Sequence, residues 1–333
     1  MRREKNTVSD NAIRMDAPIE QLLLKHRKEL TERDHAANKG TYGRLTLAAG
    51  SSGMAGAAFL SGLAAFRCGI GMVKYLGHEC NRVILQSLLP EAMYENLPEL
   101  LPLSDAAVLL AEKLSWGDYL VVGPGLSRSD EAKELIRTLF QSEVIESLQK
   151  KKLLVLDADA LNIMAEEGLD PGALRKEKQP VDALPVVITP HIMEMSRLTG
   201  LSIPEIKADP QTTADEYAKT HGIYVVLKDD RTVVASPDPA FKPLLLDSGC
   251  GAMAKAGSGD VLCGFITGVT AMLFGNVSDA LPLAVFLHGA AGCVASERTG
   301  CHSLLARDIA EAAGEALMRS LGLIRPVHLH DLS

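Results

Sequence analysis

The run Ala256-Gly257-Ser258-Gly259-Asp260 stands directly before the apolar stretch VLCGFITGVTAML. Glycines at a helix start let free backbone N–H groups approach an anion, and the helix dipole adds partial positive charge there, so the segment suits a phosphate. A carboxylate in that first turn is not itself an anion ligand. It can act as a base toward a substrate hydroxyl while neighbouring amides stabilise the phosphate under attack. An aspartate that merely complements the helix dipole has the same local sequence, so the motif alone leaves Asp260 open between the two roles.

Other punctuated motifs close β-rich runs. Gly50-Ser51-Ser52-Gly53 follows RLTLAA, Gly123-Pro124-Gly125 follows DYLVV, Asp157-Ala158-Asp159 follows KLLVL, Thr189-Pro190-His191 follows PVVI, and Lys228-Asp229-Asp230 follows YVVL. Ligands of open α/β sheets bind at the carboxyl ends of strands, so these motifs should line one cleft. GMVKYL and TVVAS are further strands. Helical patterns lie over 53–69, 129–149, after His191, and near 258–274, 280–297 and 306–320. Such alternation reads as βαβ units around a mostly parallel central sheet flanked by helices, an α/β protein. The expected organisation is an arm over 1–38 ending in a solvated helix (Ile19, Leu22, Leu23, His26), a catalytic domain over 39–322 with an exposed charged loop at 170–182, and a tail over 323–333.

Composition removes several function classes. The 34 basic against 42 acidic side chains give a charge of -8, which repels a phosphate backbone, so no nucleic acid is expected as a partner. The apolar stretch 53–73 carries Arg67 and several glycines and reads as a core helix beside a turn, so no membrane span is expected. The six cysteines form no C-x-x-C pair and no zinc spacing, which fits reduced thiols in a cytoplasmic protein. A Walker-type G-x-x-x-x-G-K-[ST] is absent. Gly50 to Gly56 reads G-x-x-G-x-x-G and not G-x-G-x-x-G, but it lies between a strand and a helix with Glu79 beyond it, which keeps a Rossmann alternative open.

The runs NKGTYGRLTLAAGSSGMAGAA, VVGPGL, LVLDADALN, VVITPHIMEMSRLTG, YVVLKDDRTVVAS and GAMAKAGSGDVLCG, in this order, resemble the ADP/ATP-dependent NAD(P)H-hydrate dehydratases of the ribokinase-like superfamily over residues 19–320. The resemblance implies a ribokinase-like fold and a homo-oligomer. ADP or ATP would be the co-substrate, with Mg2+, and hydrated NADH and NADPH the substrates. It also implies that Asp260 is the catalytic base and touches substrate, that Gly259 donates an amide to the nucleotide phosphate, and that Lys228, Asp229, Asp230, Arg231 and Thr232 hold the adenine nucleotide. Ala57, Gly125 and His191 would bind the hydrated nicotinamide nucleotide. Alone, His191 reads equally as a cap or core histidine at a helix start. Because TPHxxE and KDDRT end different strands, they are expected to face different ligands. Lys39 and Tyr42 match the family's KGxYG. Asp157 and Asp159 could organise a magnesium-nucleotide, and Asp159 could equally cap its helix. No residue is assigned as a dedicated metal ligand.

Two departures stand out: Asp229 replaces the glycine of LKG, and Gly249-Cys250-Gly251-Ala252-Met253-Ala254 replaces an Asn-rich GNxGMA segment. Lys255 could offset the Asp229 charge or be solvated. Relatives often carry an upstream epimerase domain, for which the residues ahead of the core leave no room, so epimerisation is expected from a separate protein. The reaction implied is phosphoryl transfer to the 6-hydroxyl of the hydrated ring followed by phosphate elimination. The rivals are a small-molecule kinase of the same superfamily, acting on a sugar, vitamin precursor or thiazole alcohol, and a nucleotide-binding protein without turnover.

Overall fold

The structure is a computed structural model that describes residues 13, 15–97, 105–175 and 184–324. Most of the expected arm before residue 15, part of the 170–182 loop and nearly all of the 323–333 tail lie outside the described residues. Nine strands form one sheet: β1 (Arg44–Ala48), β2 (Met72–Gly77), β3 (Met93–Asn96), β4 (Tyr119–Val122), β5 (Leu153–Leu156), β6 (Val186–Ile188), β7 (Tyr224–Leu227), β8 (Thr232–Ala235) and β9 (Leu244–Leu246). Their order is β3-β2-β1-β4-β5-β6-β7-β8-β9. The first seven pair in parallel, and β8 and β9 add antiparallel.

The helices, in chain order, are α1 (Ala17–Lys25), α2 (Arg27–Thr31), α3 (Ala55–Arg67), α4 (Arg82–Leu88), α5 (Ala106–Ser115), α6 (Asp130–Leu139), α7 (Ser142–Leu148), α8 (Asp159–Glu167), α9 (Ile192–Thr199), α10 (Ile203–Ala208), α11 (Pro210–His221), α12 (Ser258–Met272), α13 (Val277–Thr299), α14 (Ala306–Glu311) and α15 (Ala313–Ser320). Strand side chains alternate between two apolar layers. Leu45, Leu47, Val121, Leu153 and Val155 face α3, α12 and α13, whereas Leu120, Val122, Leu154 and Leu156 face α5 to α9. Burial on both faces is why these strands read as unbroken apolar runs. The expected 129–149 and 306–320 helices each split in two, and β3 went unread because an edge strand with mostly exposed side chains carries no apolar pattern.

The expected solvated helix of the arm has a dry side. Ile19 and Leu23 are buried in the core, and His26 Nε2 and Lys25 Nζ lie 2.7 and 2.6 Å from Asp279 on α13. α13 is long and apolar enough to cross a membrane, with 83% of its most apolar window buried inside the protein. It is the core helix of this layer. α3 and α12 approach closely through small residues. A Cβ on Gly264 would lie 2.4 Å from the Ser61 carbonyl oxygen, and one on Gly268 2.4 Å from Cys68 Cβ. This contact fixes the start of α12, because Ser61 Oγ donates to the Asp260 carbonyl at 2.9 Å.

The chain leaves β1 toward β2 on one side, and β4 starts on the other side of β1. Loops at the carboxyl ends of β1 and β4 meet there, the Gly50 and Ser51 amides donating to the Pro124 and Gly125 carbonyls, and form one wall of a crevice. Gly268→Val would push a branched side chain into backbone that cannot retreat. Overpacking of this kind should cost about 1–3 kcal/mol, read as a lower urea midpoint at unchanged slope. A midpoint equal to wild type would mean that the two helices do not touch there.

Candidate active site

Gly257 enters α12 with φ of 92°, and a Cβ there would also strike Leu60 Cδ1 at 2.5 Å. Only glycine fits both demands. Ser258 Oγ donates back to the Met253 carbonyl at 2.7 Å, closing the loop ahead of the helix. Gly259 and Asp260 complete the first turn, whose amides have no carbonyl earlier in the helix to bond. Burial, then the nearby Asp157 and Asp159 carboxylates, push the Asp260 carboxyl up to about 7, with the Lys228 ammonium pulling against them. At neutral pH this group can either give or take a proton.

Beside it lies a buried ion pair. Lys228, at the end of β7, donates from Nζ to Asp157 Oδ1 at 2.7 Å, the lysine side chain 20% and the aspartate 2% exposed. Burial pushes the ammonium down, and Asp157 with its other anionic neighbours outweighs this, so Lys228 is held up at about 12 and stays cationic. Cys263 Sγ donates to the second Asp157 oxygen at 3.4 Å. A Cβ on Gly259 would sit 3.4 Å from Lys228 Nζ and 4.0 Å from Asp157 Oδ2, which sets the pair against the first turn of α12. The β5 exit is tightly constrained. Ala158 takes φ of 51°, and a Cβ on Gly123 would lie 1.8 Å from the Asp157 carbonyl oxygen. Asp159 neither caps its helix nor stands alone: its Oδ2 accepts from the Ser127 amide at 2.7 Å.

One wall of the crevice comes from the β1 and β4 exits. The Gly50 amide donates to the Pro124 carbonyl at 2.9 Å and the Ser51 amide to that of Gly125 at 2.6 Å, while buried Asn81 Nδ2 donates to the Gly50 and Ser51 carbonyls, both at 3.1 Å. Gly125 sits so close to α3 that a Cβ on it would be 2.8 Å from Ala57 Cβ. Ser61 Oγ also donates to the Ala57 carbonyl at 3.0 Å, so Ala57, Gly125 and Asp260 share this wall.

His191 forms the other wall as an N-cap. Its Nδ1 accepts from the Met193 and Glu194 amides at 3.1 and 3.2 Å, and Glu194 Oε2 accepts from the His191 amide at 2.9 Å. Burial and the Lys228 charge push the imidazole pKa down, in keeping with a neutral ring that accepts at Nδ1. Burial raises Glu194 to about 7. His191, Ile192, Met193, Ile203, Lys207, Lys228 and Asp229 line an open cleft of about 440 Å³. TPHxxE and the start of KDDRT therefore share one wall of this cleft and do not lie across it from each other. β6 and β7 are adjacent and parallel, and the pairing continues as a bridge between His191 and Lys228.

The rest of the KDDRT turn is the exposed β7–β8 hairpin. Asp229 pairs with Lys207 at 3.3 Å, the Arg231 amide donates to Asp230 Oδ1 at 3.0 Å, and Thr232 opens β8. Lys255 donates to the His302 carbonyl at 2.6 Å and does not answer Asp229. Glu79 pairs with Arg82 at 2.9 Å. Lys39 and Tyr42 precede β1, at the amino end of the sheet, where Tyr42 stacks under Arg33 at 4.1 Å and lines a separate cavity of about 330 Å³. That cavity is remote from the crevice. Among the described residues no group of three or more His, Cys, Asp or Glu converges as a metal cage. Ser61, Asn81 and Lys207 carry no motif, and Cys263 stands in the GSGDVLCG run without a local role, since each acts on a partner distant in sequence.

Comparison with known proteins places these features in context. The family model described as NAD(P)H-hydrate dehydratase matches residues 45–314. A bifunctional NAD(P)H-hydrate repair enzyme of Moorella thermoacetica is 36% identical over 287 residues, 85% of this chain and 51% of the relative, so the chain spans about half of that protein. An ADP-dependent (S)-NAD(P)H-hydrate dehydratase of Bacillus subtilis is 34% identical over 86% of this chain and 92% of its own length. The crystal structure of an ADP/ATP-dependent NAD(P)H-hydrate dehydratase from Bacillus subtilis, co-crystallised with ATP and Mg2+, superposes with a TM-score of 0.68 at 29% identity, covering 87% of this chain and 94% of that one.

The ion pair can be tested apart from any reaction. Lys228→Met leaves a buried carboxylate without its cation and should cost about 3 kcal/mol in urea unfolding. Asp157→Asn combined with Lys228→Met should recover most of that loss. A single variant as stable as the double would mean that the two charges do not depend on each other.

Proposed function

The chain belongs to the NAD(P)H-hydrate dehydratase family, and from that premise we propose that it uses ADP or ATP to dehydrate the 6-hydroxylated forms of NADH and NADPH back to NADH and NADPH. The observation that carries the reading is the Asp260 carboxyl, held near 7 in the first turn of α12 and flanked by the Lys228 cation.

The hydrated ring bears a hydroxyl on a carbon next to nitrogen, and hydroxide is a poor leaving group. Asp260 takes the hydroxyl proton as its oxygen attacks the terminal phosphorus of the nucleotide in line. The first-turn amides, Gly259 among them, and Lys228 face the charge that gathers on the phosphoryl oxygens. The ring nitrogen lone pair then expels phosphate, and loss of a ring proton restores the dihydronicotinamide. The hydroxyl oxygen leaves in the phosphate, and no electron changes hands. Magnesium carried by the nucleotide would supply neutralisation of phosphate charge, and Asp159 is the carboxylate that would help hold it, since both Asp157 oxygens are engaged by Lys228 and Cys263.

Ala57, Gly125 and the crevice beside Asp260 are assigned to the hydrated ring. His191 and the Lys228–Thr232 turn are assigned to the cleft they frame, with its exposed Met193 and Ile203 offering apolar surface to a base. Reduced thiols at the described cysteines fit a cytoplasmic setting. Exposed Val83, Ile84, Leu88 and Met93 on α4 and edge strand β3 fit a homo-oligomer. The bifunctional relatives, of which this chain matches about half, support an epimerase as partner activity.

Asp260→Asn should lower turnover by about 10²–10⁴, roughly 3–5 kcal/mol, with ADP affinity within a few-fold of wild type. Half of wild-type turnover would remove Asp260 from the reaction. The base must be ionised to act, and its folded value is raised, so kcat/KM should fall about tenfold per pH unit below about 7 and level off above it. Glu194→Gln should keep that limb; its disappearance would assign the limb to Glu194.

Dehydration is separated from simple phosphorylation by following the chromophore. With ADP or ATP and magnesium, the protein should return the dihydronicotinamide absorbance of hydrated NADH and release phosphate in equal amount. A kinase would leave a stable ester and no chromophore. Phosphorylation of an unrelated alcohol without recovery of absorbance would replace the dehydratase reading.

A further inference from the structure

Behind the anion loop lie two thiols for which the proposed reaction has no use. Cys250 is partly exposed in the turn after β9, and Cys293 is buried on α13. Cys293 Sγ donates to the Ser248 carbonyl oxygen at 3.6 Å, and the Cys250 thiol lies within hydrogen-bonding reach of Cys293 and Ser296 on α13. Turn and helix are pressed together on either side of the pair. A Cβ on Gly289 would meet the Ser248 carbonyl carbon at 2.7 Å, and one on Gly292 would meet Met253 Sδ at 2.2 Å. The same turn runs into the anion loop: the Cys250 carbonyl accepts from the Met253 amide at 3.0 Å, and the Met253 carbonyl accepts from Ser258 Oγ and the Lys255 amide, both at 2.7 Å.

We propose that Cys250 and Cys293 are a redox-active dithiol, which a hydroperoxide closes into an intramolecular disulfide that locks the 249–258 turn onto α13 and shuts off nucleotide binding at the first turn of α12. The blocking step rests on the nucleotide site proposed above; the disulfide does not. Interaction with Cys293, against burial and with help from the Ala252 and Met253 amides, lowers the Cys250 thiol from its ordinary value and favours the reactive thiolate. Cys250 sulfur attacks one peroxide oxygen, the O–O bond breaks, and the departing oxide takes up a proton, leaving a sulfenic acid. Cys293 sulfur then attacks Cys250 sulfur, the S–O bond breaks, and hydroxide leaves with the Cys293 proton as water. The two thiols lose two electrons, and the peroxide is reduced, its transferred hydroxyl half ending as water and its departing half as water or an alcohol. Cys68 and Cys263 are buried, and burial pushes both thiols up and away from reactivity.

The test uses the full chain with the exposed Cys80 and Cys301 replaced by serine, treated with hydrogen peroxide and digested without reductant. A peptide linking Cys250 to Cys293 is expected. ADP affinity should fall at least tenfold and return with dithiothreitol. Cys250→Ser and Cys293→Ser should each abolish the linked peptide and the peroxide-dependent loss. Oxidation of Cys250 to sulfinic acid with Cys293 still reduced overturns the dithiol, and a disulfide with unchanged ADP affinity overturns the switch. If the reduced protein binds no ADP at all, the nucleotide reading fails, and the linked peptide still decides whether the dithiol exists.

Discussion

A lysine and an aspartate that neutralise each other out of water set the electrostatics of the whole crevice. Asp157 is nearly without solvent, and its two oxygens are taken by Lys228 and Cys263. Three carboxylates then crowd one helix start, and a single cation keeps them from repelling an incoming phosphate outright. The same arrangement supports a half-protonated Asp260: burial and two neighbouring anions raise it, and Lys228 limits the rise. Without Lys228, Asp260 would sit in a more negative field and hold its proton more tightly.

That balance needs strands from distant parts of the chain. Asp157 ends β5, Lys228 ends β7, and Gly259 and Asp260 arrive on a helix from the far end of the sequence. What keeps them in register is the α3–α12 contact, where Gly264 and Gly268 let the helices come within backbone range and Ser61 ties Ala57 to Asp260. Small side chains in the core thus serve positioning as much as packing.

The sheet's parallel strands and the anion loop were legible in the sequence because each is a local pattern: an apolar run closed by glycine or aspartate, or glycines ahead of an apolar helix. Edge strands β3 and β9 were not, since a strand with one open side or only three residues leaves little pattern. Strand order was also beyond reach, and with it the finding that His191 and Lys228 share a wall. Cap or ligand was an open choice for His191; the cap is realised at Nδ1 while half of the side chain stays exposed to the cleft. Asp159, by contrast, does not cap its helix and receives the Ser127 amide instead.

α13 is among the most apolar parts of the chain and the last long one to be made. It covers the same sheet face as α3 and α12, and that face holds side chains from strands synthesised far earlier, beginning with Leu45 and Leu47. A chain still emerging from the ribosome therefore carries an uncovered apolar sheet until its final third appears. Partly made protein of this kind is open to aggregation and to capture by chaperones, so premature termination anywhere before α13 leaves a sticky fragment and not a smaller working domain.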